Sequence, residues 1–105
     1  MTQRTRIKIC GVSREADIAA AVDAGADAIG LVFHPASPRF VTPERAALLA
    51  RALPPYVTPV GLFVNAPRAD IDRVLALIPA LVLQFHGDAD PVVAETARWA
   101  VTHDR

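Results

Sequence analysis

In the stretch DAIGLVF, Asp27 to Phe33, six residues after the aspartate run with no polar interruption. A strand with one wet face alternates apolar and polar residues; an unbroken apolar run of this length suits a strand buried on both faces, as in a parallel sheet covered by helices. The flanks agree. Upstream, SREADIAAAVDAG carries Ile18, Ala21 and Val22 at helical spacing, with Ser13 expected as N-cap, Ala16 and Asp17 in the first turn, and Gly25 as the stop. Before it, TRIKIC (Thr5–Cys10) is short, apolar and β-branched, which predicts a strand.

Downstream, HPASPRFV reads as a loop, since Pro35 and Pro38 break regular structure. TPERAALLARAL then predicts a helix with Thr42 as N-cap, Pro43 at the first helical position, and Ala46, Leu49, Ala50 and Leu53 on one face. VTPVGLFVN (Val57–Asn65) predicts a third strand and PRADIDRVLALI (Pro67–Ile78) a third helix, with Ile71, Val74, Leu75 and Ile78 periodic. ALVLQFHG (Ala80–Gly87) predicts a fourth strand and DPVVAETARWAVTH (Asp90–His103) a fourth helix. Strand and helix alternate four times, which implies a parallel sheet with right-handed crossovers. Two folds use that alternation, an open doubly wound sheet and a (β/α)₈ barrel. Both place ligands at the carboxyl ends of the strands.

Composition narrows the function classes. The chain has 105 residues, enough for one small domain, with eleven basic and eleven acidic residues and no net charge. That balance offers no nucleic-acid-binding surface and no polybasic membrane patch. The hydrophobic fraction of 52% is enough for a core. A single cysteine excludes an internal disulfide and a multi-cysteine zinc site, and fits a reducing cytosol. No apolar run approaches the roughly 18 residues of a membrane span, and no signal-peptide stretch follows the basic start. The expectation is a soluble cytoplasmic protein.

The polar and reactive residues collect just after the predicted strands. Cys10 has two readings. A free cysteine often serves as a small buried hydrophobe. At the end of a strand and near the start of a helix, a thiol can instead be exposed and act as base or nucleophile. Gly11 leaves room for a ligand to approach. Arg39, in SPR on a proline-stiffened loop, is either a solvated arginine or a bidentate clamp on a carboxylate or phosphate. Gln84 and His86, two apart, share one face of the fourth strand, as a satisfied polar pair or as pocket lining. His34 and His103 read as solvated, and the three histidines have no metal-ligand spacing. Asn65 reads as a turn former or cap, and Asp88 and Asp90 as caps of the last helix. Neither GxGxxG nor a Walker A motif is present.

Four segments together carry a resemblance: KICG (Lys8–Gly11), GADAIGLVFHPASPRFV (Gly25–Val41), VGLFVN (Val60–Asn65) and LQFHG (Leu83–Gly87). In order and spacing they resemble the first four strand ends of the phosphoribosylanthranilate isomerase family of tryptophan biosynthesis, across residues 6–87. The resemblance implies a (β/α)₈ barrel, a phosphorylated aminosugar substrate, and an Amadori rearrangement of aminoaldose to aminoketose with no cofactor. It implies that Cys10 is the general base at the sugar C2′, and that Arg39 holds the anthranilate carboxylate. Gln84, His86 and Gly11 would line the pocket.

A full barrel needs roughly 200 residues. The expectation for residues 1–105 is therefore the N-terminal half of such a domain, from a truncated or interrupted gene. Family likeness is weaker after Gly87. No position matches the aspartate that serves the family as general acid, or the phosphate-gripping loops of later strands. Self-association, or pairing with a complementary C-terminal half, would complete the ring. The alternatives are an inactive half-barrel, another sugar-phosphate barrel enzyme related to indole-glycerol-phosphate synthase, and a flavodoxin-like ligand-binding domain. KICG with SPR argues against the second, and the glycine-poor CGVSRE turn against the third.

Overall fold

The computed structural model describes residues 5–86. Seven elements follow in the expected alternation: β1 (Lys8–Ile9), α1 (Glu15–Asp23), β2 (Ala28–Val32), α2 (Pro43–Arg51), β3 (Thr58–Val64), α3 (Arg68–Leu77) and β4 (Val82–His86). The four strands are parallel, in the order β1-β2-β3-β4. A doubly wound sheet needs a reversal of strand order to make its ligand crevice. The described strands have none and follow the sequence of a barrel wall.

Side chains at the same register point to the same face of a parallel sheet. Ile29, Leu31 and Phe33 face the helices and pack with Phe63, Leu81, Ile18, Leu49, Ile71 and Val74 into one buried cluster. The rings of Phe33 and Phe63 stack at 5.1 Å between centroids. Burial of β2 on both faces is observed, since Ile29, Gly30, Leu31 and Val32 are all buried.

The opposite face carries Lys8, Gly30, Val60, Leu62, Gln84 and His86. Lys8 sits level with Ala28, which pairs with Thr58, and the β3–β4 register puts Thr58 level with Ala80. Gln84 would thus lie roughly 20 Å from Lys8 in a flat sheet. Yet Lys8 Nζ donates to Gln84 Oε1. The bond is a chord across a strongly curled sheet, and this face is its concave side.

Two sequence expectations are corrected. The first strand is shorter than Thr5–Cys10, because Asp27 replaces its lower ladder: Oδ2 accepts from Ile7 N at 2.8 Å, and Asp27 N donates to Ile7 O at 2.8 Å. Ser13 is not the N-cap of α1; Arg14 is, with no side-chain capping bond. The turn after β1 delays the helix, since Gly11 has φ +81° and the amides of Gly11 and Val12 both donate to Gly30 O, at 3.0 and 3.1 Å.

The expected stop of α1 and cap of α2 are observed. Gly25 ends α1 in the left-handed region at φ +87°, and Gly25 N→Val22 O with Ala26 N→Ala21 O, each 3.0 Å, forms a Schellman motif. Thr42 Oγ1 caps α2 by accepting from Arg45 N at 3.1 Å, with Pro43 next. Gly87 and the expected fourth helix (90–103) lie outside the described residues. No helix among the described residues is long and apolar enough to cross a membrane.

Candidate active site

The β1–α1 turn and the β2–α2 loop meet at the carboxyl ends of their strands. The loop folds back on its own strand. Ser37 N donates to His34 O at 2.9 Å, Arg39 N to Ser37 Oγ at 3.1 Å, and Val41 N to Val32 O at 3.0 Å. These bonds hold Arg39 against the other turn, where its Nη1 donates to Gly11 O at 3.2 Å. A guanidinium has five N–H donors. This bond engages one of them, and the Arg39 side chain remains exposed at the lip.

Cys10 precedes Gly11 and is exposed. A Cβ built on Gly30 would lie 3.0 Å from Cys10 Sγ, so the thiol stands over Gly30 on the concave face. Cys10, Gly11 and Arg39 also line a cleft of about 540 Å³ that runs along α1, with Ile9, Ser13, Arg14, Asp17, Ala20 and Ala24 among its other walls. The Arg14 hydrogen bond holds the Asp17 carboxyl below its usual range, with a smaller contribution from Arg39. The cleft rim therefore keeps a carboxylate as well as two cations.

Of the sequence-derived candidates, the structure gathers Cys10, Gly11 and Arg39 at one lip. Gln84 and His86 share the concave face; Gln84 is tied to β1 through Lys8, and His86 stands exposed at the end of β4. His34 and Asn65 line a different cavity, of about 420 Å³, floored by Phe33, Phe63 and Val74. Asn65 adopts φ +49°, consistent with a turn former. Asp88, Asp90 and His103 lie outside the described residues. Among the described residues, no three His, Cys, Asp or Glu side chains converge as a metal site.

Two residues at the site escaped the sequence reading. Lys8 was available as the residue two before Cys10, hence on its face of the strand. Gly30 falls in one of the segments that carry the family resemblance, but with no side chain it was read there without any role beside Cys10.

The family model of N-(5′-phosphoribosyl)anthranilate (PRA) isomerase matches residues 7–104. The chain belongs to the PRA isomerase family. Among curated PRA isomerases, that of Leptothrix cholodnii is 61% identical over 94 residues, covering 90% of this chain and 43% of that protein. That of Methylibium petroleiphilum is 62% identical over 88 residues, covering 84% and 41%. The PRA isomerase structure from Thermotoga maritima superposes with a TM-score of 0.84 at 37% identity, over 94% of this chain and 47% of that one. A PRA isomerase solved with reduced 1-(o-carboxyphenylamino)-1-deoxyribulose 5-phosphate gives 0.84, also at 37% identity, covering 94% of this chain and 50% of that one. The fold is thus that of the (β/α)₈-barrel family, with four βα units expected from the sequence and four parallel strands described. The chain spans less than half the length of the Leptothrix and Methylibium PRA isomerases.

Proposed function

We propose that residues 1–105 supply the first four βα units of a PRA isomerase, and with them the base and the carboxylate clamp of an Amadori rearrangement. The reaction moves a proton between adjacent carbons of a phosphorylated aminosugar. Cys10, as thiolate, takes the proton from C2′. Arg39 holds the anthranilate carboxylate with the donors that its bond to Gly11 leaves over. Gln84 and His86 line the pocket on β4. The acid that opens the furanose ring and the grip on the phosphate belong to the other four units, whether on a continuation of this chain, a separate half or a second copy.

The observation that carries this reading is the bond from Arg39 Nη1 to Gly11 O, which fixes a cation one residue from the thiol. A relative solved with a carboxyphenylamino deoxyribulose phosphate supports the substrate class.

The test measures loss of PRA fluorescence with the chain alone and with the chain mixed with the C-terminal half of the Leptothrix relative. The expected result is turnover by the mixture, cut about 100-fold or more by Cys10→Ala. Arg39→Ala should mainly raise KM. Turnover untouched by Cys10→Ala would overturn the assignment of the base. A mixture that assembles and still turns nothing over would favour the alternative of an inactive barrel wall.

A further inference from the structure

We propose that Gly30 is a positioning residue for the Cys10 thiol. The proposal rests on the reading of Cys10 as the base. A base for C–H abstraction must sit within reach of its proton, and a misplacement of about 1 Å is already costly. Gly30 does this in two ways. Its carbonyl accepts from both Gly11 N and Val12 N, at 3.0 and 3.1 Å, which fixes the backbone directly after the cysteine. Its missing side chain also leaves the space that the cysteine occupies. A Cβ there would lie 3.0 Å from Sγ, 3.1 Å from Cα and 3.4 Å from Cβ of Cys10.

The second of these distances is to a backbone atom, so a rotation of the thiol alone does not relieve the crowding. Gly30 differs in this from Gly11 and Gly25, the two described glycines with positive φ. What crowds a larger residue at position 30 is the neighbouring cysteine.

The experiment follows alkylation of Cys10 by iodoacetamide in the 105-residue chain, across roughly pH 6 to 10, which brackets ordinary thiol titration. Gly30→Ala is expected to remain folded by circular dichroism and to slow alkylation about threefold or more across that range, because its methyl covers one flank of the sulfur. Gly61→Ala is the comparator. Its Cβ would lie 2.7 Å from Leu81 Cδ2, on the helix side of the sheet, so it should lower Tm and leave the alkylation profile in place. A folded Gly30→Ala chain alkylated as fast as the parent, or faster, overturns the proposal.

Should Gly30→Ala not fold, NOEs from the Cys10 Hβ protons to the Gly30 Hα protons in the parent chain decide it. Their presence is expected and their absence overturns it. Alkylation requires no turnover, so this inference and the catalytic reading fail separately. A slowed profile with Cys10-independent turnover sinks only the role of Cys10 as base. An unchanged profile with Cys10-dependent turnover sinks only the role of Gly30.

Discussion

At the level of single residues, the site depends on backbone that only glycine supplies at low cost. Gly11 at φ +81° and Gly25 at φ +87° share the left-handed region, yet their surroundings differ. A Cβ on Gly25 meets nothing within 4 Å, while one on Gly11 meets Arg39 Nη1 at 3.1 Å and Cγ at 3.3 Å. Gly25→Ala should therefore cost only the conformational penalty, about 1 kcal/mol. Gly11→Ala should cost about 1–2 kcal/mol more, since the arginine must also shift. Urea unfolding of the two variants measures the difference, and equal midpoints would show that Arg39 packs loosely there. Cys10, Gly11 and Arg39 were legible in the sequence because each carries a chemical or conformational signature next to a strand end. Gly30 was not. Its importance lies in the space it leaves for a residue 20 positions earlier, and strand register alone creates that neighbourhood.

Among the elements, the three described helices are tied to one another in sequence order by exposed ion pairs. Arg45 of α2 donates to Glu15 of α1, and Arg73 of α3 to Glu44 of α2 at 2.7 Å. The bond from Arg45 holds the Glu15 carboxyl below the ordinary glutamate range, and the Arg14 bond does the same for Asp17. The unfolded chain then binds these protons more readily than the folded one. The stabilisation is complete above the ordinary carboxylate range and is lost as pH falls through the lowered folded values. Tm should decline on acidification from about pH 5 to about pH 3, less steeply in Glu15→Gln and less steeply in high salt. A Glu15→Gln chain with the parent's acid profile would exclude Glu15 as a source. Element order and type were readable from apolar periodicity. The start of α1 was not, because Ser13 has the composition of a cap but falls inside a turn whose length the Gly30 carbonyl sets. Thr42 kept its role, since the loop before it ends where Val41 rejoins Val32.

For the whole molecule, the buried cluster centres on Phe63, which is 1% exposed, stacks on Phe33, and lies 6.3 Å between centroids from Phe85. Phe63→Ala should cost about 3–5 kcal/mol, a large share of the stability of a small domain. A loss under about 1 kcal/mol in urea unfolding would show that Phe63 does not hold the helix-facing core together. The parallel sheet was legible from the unbroken run at Asp27–Phe33. Its curl was not, because it shows only in Lys8 reaching Gln84 across two intervening strands. The strand order has a further consequence, for synthesis. Each described strand pairs with the one made immediately before it, so a nascent chain can add βα units in the order in which they leave the ribosome. No described unit waits for a distant partner to be translated, the loops to be closed stay short, and the growing edge is always the newest strand.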